Sequence, residues 1–399
     1  MDMSTPTGQP AAAMDARLRE AASTVPVYPQ LPFVPVRAAG CDIFTDDGRQ
    51  ILDLYGGHAV ACLGYGHPLL MRAIERQSRR LLFQSNAVAL DIRAEAAEKL
   101  VDAAPASLTR AFFVNSGGEA NENALRMALT VTGRRRVLAV THGFHGRTAA
   151  AAAVTWNSDR WYGFPEKPFE TDFIPRDDAA AAAAMIGPDV AAVIVEPVQG
   201  VAGAFDLAPE FMTALREATA RHGALLIADE VQSGMGRSGR FFASKAYGIE
   251  PDILTAAKSL AGGLPAGAVL ASDAVAAAFG PGSLGTTFGG GPLAAAATVA
   301  VLDAIRAEDL LTNVRAREVE IRETCAIGPV ERIQGMGLLL GLVCDRPAID
   351  VQAALLDHDI LTGTSADPHV LRILAPLVLE THHVERLRQA LAAIPPARL

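Results

Sequence analysis

The feature that most constrains this chain is a unit that recurs from about Phe112. A short apolar run closes on a Gly-rich or polar turn, and a segment of helical character follows. AFFVNSGGEANENALRMAL, RVLAVTHGFHG, VAAVIVEPVQG, GALLIADEVQSG and DILTAAKSLAGG all have this form. Strands that are apolar on both faces must be covered on both, and a helical return keeps successive strands parallel. The expectation is an α/β fold, with a large domain built on a mostly parallel sheet flanked by helices. Polar residues gather at the carboxyl ends of these strands, the rim on which open α/β sheets bind ligands.

The pattern changes at Pro292. PLAAAATVAVLDAIRAEDLLTNVRAREVEIRETC reads as amphipathic helix, and RIQGMGLLLGLVC and HVLRILAPLVL read as strands. These imply a second, smaller α+β domain over 292–399, beside a large domain over 51–291. Residues 1–50 are expected to form an N-terminal arm and part of the small domain, since the prolines of PVYPQLPFVPVR keep that stretch extended. Ala179 to Ala184, after two aspartates, reads as a short helix with an acidic start.

Composition excludes several classes. With 35 Lys+Arg against 44 Asp+Glu, a net charge of -9 offers no cationic excess for nucleic acid or an anionic membrane. Cys41, Cys62, Cys325 and Cys344 lie far apart with no C-x-x-C, so free buried thiols are expected. MDMSTPTGQP has no basic stretch leading into an apolar one, so a cytoplasmic location is expected. Ala274 to Leu302 carries no charge, yet Gly, Pro and Thr fill its middle, which suits a loop feeding a helix and not a membrane span. Gly234, Gly236 and Gly239 have the spacing of a dinucleotide fingerprint, but DEVQS separates them from the strand, so they read as a turn. His142 and His145 form an H-x-x-H without further ligands nearby, and no metal is expected. His382-His383 is expected to be solvated on a surface helix, and Glu196 to be a satisfied buried acid near the site.

Three strand ends carry chemistry. Asn115-Ser116-Gly117-Gly118 joins a strand to a helix, where converging N–H groups and the helix dipole would cradle a phosphate; an ordinary capped turn has the same sequence. Asp229 ends the strand of GALLIAD and would face a cationic nitrogen, or else is a solvated strand end. Lys258 stands in the small-residue setting TAAKSLAGG, where desolvation would favour its neutral, nucleophilic amine, unless it snorkels to the surface. A phosphate cradle, a buried acid and a desolvated lysine on one rim together suit pyridoxal 5′-phosphate.

With these residues in place the chain resembles the fold-type I, class III aminotransferases of the acetylornithine/ornithine aminotransferase group. ILDLYGGHAVACLGYGHP, NSGGEANENALRMA, FHGRT, EPVQG, LLIADEVQSGMGRSG, ILTAAKS, TTFGGGP and LRILAPL carry the likeness, over about residues 30 to 395. The resemblance implies an amino transfer from an ω-amino, α-carboxylate donor such as acetylornithine or ornithine to 2-oxoglutarate. A racemase or aminomutase of the same fold, or a transferase for simple ω-amino acids, are the alternatives. It implies that Lys258 forms the imine with pyridoxal 5′-phosphate and then serves as base. Asp229 would pair with the ring nitrogen, Gln232 would lie near the phenolic oxygen, and Phe144 would stack on the ring. Ser116, Gly117 and Gly118 would hold the phosphate, with Thr287 reaching in from a second copy in a homodimer with shared sites. Arg147 would grip the donor's distal carboxylate, and Arg372 the α-carboxylate of 2-oxoglutarate or glutamate. Two departures stand out: the group usually has Gln-Gly-Glu where this chain has Gln199-Gly200-Val201, and often Gly-Gly-Asn-Pro where it has Gly289-Gly290-Gly291-Pro292. The missing glutamate would leave Arg372 without a carboxylate gate.

Overall fold

The computed structural model describes residues 10–397. Its largest sheet has seven strands: β1 (Arg110–Val114), β2 (Arg136–Val140), β3 (Glu170–Ile174), β4 (Val190–Val195), β5 (Leu225–Asp229), β6 (Ile253–Ala256) and β7 (Gly267–Ala271). They lie in the order β1-β7-β6-β5-β4-β2-β3. The pairs from β6 to β3 are parallel, whereas β7 runs antiparallel to both β6 and β1. The sheet is therefore mostly parallel, with one reversed strand that the repeated unit did not reveal.

Alternation along the strands explains how both faces are sealed. Val137, Ala139, Ala192, Ile194 and Ile227 face one layer, with helix α1 (Gly117–Thr132) packed on them through Ala120, Ala124 and Ala128. Leu138, Val193, Val195 and Leu226 face the other, under Phe211 and Leu215 of the helix Pro209–His222. Helix α1 begins at Ser116, whose side chain accepts from the Glu119 N–H at 3.2 Å, and ends at Gly133 with φ 66°, a left-handed cap that costs glycine little. The helix expected after the two aspartates is Ala179–Met185, capped by Asp178, which accepts from the Ala181 N–H at 2.8 Å.

Three smaller sheets complete the described frame, the least of them the hairpin of Val198–Gln199 with Phe205–Asp206. Pro35–Ala39, Asp42–Thr45, Gln50–Asp53 and Ile360–Leu361 form one in that order, and Val330–Met336, Leu339–Cys344 and Val370–Ile373 form an antiparallel sheet. Helix α2 (Pro292–Ala307) follows the uncharged loop and packs on the helices Pro68–Arg80 and Asp91–Ala103 and on the turn Lys258–Ala261. No helix among the described residues is long and apolar enough to cross a membrane. The glycines at 234–239 form a turn that buries Arg237 completely, its Nη1 donating to the Leu338 and Ala375 carbonyls at 3.1 and 2.8 Å.

One surface expectation is corrected. His382 is exposed on the helix Thr381–Ala393, but His383 is 7% exposed. It is the third residue of that helix, and its Nδ1 accepts from the Glu380 N–H at 3.0 Å while the Glu380 side chain caps the N–H of His383, so the ring folds back onto the helix start and away from water.

Candidate active site

The carboxyl ends of β1, β2, β4, β5 and β6 converge on a cavity of about 390 Å³. Ser116, Gly117, Gly118, Phe144, Asp229, Gln232 and Lys258 all line it, together with Asn121, His145, Glu196 and Val201. The Gly117 and Gly118 N–H groups open α1 and have no carbonyl one turn back to donate to, so they present donors and the positive end of the helix dipole to the cavity. Gly117 also has no room for a side chain, since a Cβ would fall 2.6 Å from Val231 Cγ1.

Register places Asp229. It lies two residues beyond Ile227 on β5, so its carboxylate emerges on the α1 face, where Asn121 of α1 meets it. Asn121 Nδ2 donates to Asp229 Oδ2 at 2.7 Å, and His145 Nδ1 lies 2.8 Å from the same oxygen. The Val231 N–H donates to Oδ1 at 3.0 Å, so the carboxylate, 3% exposed, is held from three directions. His145 Nε2 has no hydrogen-bond partner among the described residues. Sequence reasoning missed Asn121 and His145, although both lie inside quoted motifs; only the fold shows that segments 24 residues apart share one carboxylate.

Lys258 follows β6 in a left-handed conformation, φ 46°, that costs free energy in any residue but glycine. The turn is pinned at once by Ser259, whose Oγ donates to the Ala59 carbonyl at 2.7 Å. Burial pushes the Lys258 ammonium below its ordinary value, while Asp229 and Glu196 oppose that shift. Glu196 accepts from the Phe144 N–H at 2.8 Å and the Gly200 N–H at 3.2 Å. Burial and the charge of Asp229 nevertheless push its carboxyl up to about 7.

Arg372 sits on Val370–Ile373 beside this cavity and touches no carboxylate among the described residues. Its Nε donates to the Thr364 carbonyl at 2.7 Å, Nη1 to the Gly200 carbonyl at 3.3 Å, and Nη2 to Tyr55 Oη at 3.3 Å. Gln232 Oε1 lies 3.5 Å from Nη1. Val201 takes no part in this network, so neutral acceptors alone fix a buried guanidinium.

Two expected residues stand elsewhere. Arg147 is exposed and lies over the Trp161 ring, 4.6 Å from its centroid, in a neighbouring cleft that shares Phe144 and Val201 with the cavity. Thr287 is exposed on the loop before α2 and does not line the cavity of its own chain.

The sequence model of the class III aminotransferases matches residues 24–394. This chain belongs to that family. The aminotransferase is 40% identical over 377 residues to the acetylornithine aminotransferase of Corynebacterium efficiens, covering 92% of this chain and 93% of the relative. It is also 40% identical to the acetylornithine aminotransferase of Methanopyrus kandleri, covering 95% and 98%. The ornithine aminotransferase of Toxoplasma gondii, whose structure holds pyridoxal 5′-phosphate at partial occupancy, superposes with a TM-score of 0.89 at 27% identity, over 96% of this chain and 94% of that one. The aminotransferase is a pyridoxal-phosphate enzyme of fold type I. Its cavity fits that cofactor by its donor set: free N–H groups at a helix start, a fixed buried carboxylate, and an amine whose charge is disfavoured.

Proposed function

We propose that this aminotransferase takes the ω-amino group of an acetylornithine- or ornithine-like donor and passes it to 2-oxoglutarate. The observation that carries this reading is a pair of arginines with no acid partner among the described residues, Arg372 beside the Lys258 cavity and Arg147 in the cleft that adjoins it through Phe144 and Val201. Planar guanidinium groups suit carboxylates. A donor with a carboxylate remote from its reacting amine would use Arg147, and the keto acid would use Arg372.

Pyridoxal 5′-phosphate, when bound, supplies an electrophilic carbon and a ring that accepts electrons. Ser116, Gly117 and Gly118 would hold its phosphate, and Phe144 would cover a face of its ring. Asp229, steadied by Asn121 and His145, would keep a proton on the ring nitrogen, and Gln232 would lie near the phenolic oxygen. Lys258 Nζ would act first as nucleophile and then as the base that takes the proton from the donor carbon and returns it elsewhere.

A second copy of the chain completes the reading. Leu82, Phe83 and Phe288 are 60%, 42% and 65% exposed around one apolar groove with Leu264, Pro265 and Leu293, and the exposed Thr287 is next to Phe288. A homodimer would cover this groove and bring Thr287 to the neighbouring cavity.

The test is formation of glutamate from 2-oxoglutarate with N-acetylornithine or ornithine, in the native protein and in Lys258→Ala. Native turnover with at least one donor and a loss of at least about 10²-fold in the variant are expected. Retention of rate without Lys258, or turnover of a donor with no keto acid present, refutes the proposal.

A further inference from the structure

The turn Gly56–Ala59 is left-handed throughout. Its four residues have φ of 54°, 55°, 63° and 67°, and two of them, His58 and Ala59, carry side chains. Such backbone costs free energy outside glycine and persists where the surroundings fix it. Here the Ala59 N–H donates to the Tyr55 carbonyl at 3.0 Å and the Val60 N–H to the Gly56 carbonyl at 2.8 Å, which folds the His58 ring back onto Tyr55. The two rings lie 4.7 Å apart, centre to centre, and His58 Nδ1 is 2.6 Å from Tyr55 Oη. The Tyr55 ring in turn fills a slot opposite Arg372. Gly363 pairs with Arg372 along the backbone, its N–H donating to the Arg372 carbonyl at 3.0 Å, and a Cβ at Gly363 would overlap the tyrosine ring. This slot brings the phenol oxygen to 3.3 Å from Arg372 Nη2.

A phenol between an imidazole and a guanidinium satisfies all three groups in one arrangement, with its proton on the imidazole nitrogen and a lone pair on the guanidinium. That arrangement needs a neutral imidazole. Burial disfavours the His58 imidazolium, and the Arg372 and Lys258 cations disfavour it further, while burial raises the Tyr55 hydroxyl and keeps it protonated. Resting on the reading of Arg372 as the keto acid's carboxylate site, we infer that Tyr55 and His58 are positioning residues for that site. His58 Nδ1 accepts the Tyr55 proton, which turns the phenol oxygen onto Arg372 Nη2 and steadies the guanidinium for the incoming carboxylate. The bond from Arg372 Nε to the Thr364 carbonyl is short at 2.7 Å, whereas those from Nη1 to Gly200 and Nη2 to Tyr55 are 3.3 Å each. The Nε edge is thus anchored by backbone, and the Nη edge is the part that Tyr55 has to steady.

The experiment measures KM for 2-oxoglutarate, and inhibition by glutarate, a dicarboxylate that accepts no amino group. The proteins are the native holoenzyme, Tyr55→Phe, His58→Gly, His58→Asn, the double variant of Tyr55→Phe with His58→Gly, and Arg372→Ala. Glycine suits the left-handed backbone and offers no acceptor, whereas asparagine tolerates the same backbone and presents Oδ1 where histidine has Nδ1. Tyr55→Phe should raise KM and the glutarate inhibition constant by about 3–10-fold, the loss of one long hydrogen bond to a charged group, with a smaller effect on kcat. His58→Gly should raise both constants in the native background and add less than about 2-fold in Tyr55→Phe, because histidine acts through the tyrosine. His58→Asn should stay within about 2-fold of native, since its acceptor is retained. Unchanged constants in Tyr55→Phe, effects of the two substitutions that multiply, or a loss in His58→Asn equal to that in His58→Gly each overturn the inference. A raised KM in Arg372→Ala leaves the Arg372 reading standing in those cases, and an unaltered KM there overturns both.

Discussion

Gly200→Ala tests whether Gln232 is fixed by packing. Gly200 follows the hairpin strand Val198–Gln199 with a backbone open to any residue, so alanine adds no conformational strain. Its Cβ, however, would overlap the Gln232 amide outright and lie 3.1 Å from Gln232 Cγ. Gln232 is 7% exposed and has little space to retreat into. Overpacking of this kind costs about 1–3 kcal/mol, of which an off-rotamer glutamine would account for about 0.5–1.5. The displaced amide would also leave Arg372 Nη1, so the damage reaches the carboxylate site proposed for Arg372. The assay is a double-mutant cycle with Gln232→Ala, read by thermal unfolding of the apoprotein and by cofactor titration. Gly200→Ala should destabilise the native background by about 1–3 kcal/mol and the Gln232→Ala background by less than about 0.5. Equal costs in both backgrounds would refute the steric argument.

Glu196 predicts a pH dependence. Its folded-state carboxyl is raised from 4.5 to about 7, so its contribution to stability is complete below pH 4.5 and is lost as pH rises through about 7. Melting of the apoprotein between pH 5 and 8 should therefore fall more steeply in the native chain than in Glu196→Gln, and parallel slopes would contradict the assignment. Phe288→Asp places a charge in the exposed apolar groove; sedimentation should show the proposed dimer shifting to monomer, with loss of transamination. A dimer unchanged in affinity would mean that this groove is not the interface.

Much of the site was legible because its residues follow strands. An apolar run ending in Asp229, Ser116-Gly117 or Lys258 marks a sheet rim from local pattern alone, and those residues do line one cavity. His145 and Asn121 were not legible as a pair. Each is an ordinary motif residue until β5 and α1 bring both to Asp229 Oδ2. His383 was misread for a related reason, since its burial depends on folding back onto Glu380, whereas a doublet of histidines on a polar helix gives only an impression of exposure.

By itself the sequence determined the class of fold and the chemistry of the rim, because alternation, turn residues and strand-end polarity are local properties of the chain. Tertiary structure decided the reversal of β7, the left-handed setting of Lys258 and the neutral cage of Arg372. These depend on contacts between distant segments: Ser259 with Ala59, and Arg372 with Gly200 and Tyr55. It also decided that Arg147 and Arg160 share a cleft without an acid. Charge in a sequence can be counted anywhere along the chain, but whether a charge is compensated depends on which side chains the fold brings within reach.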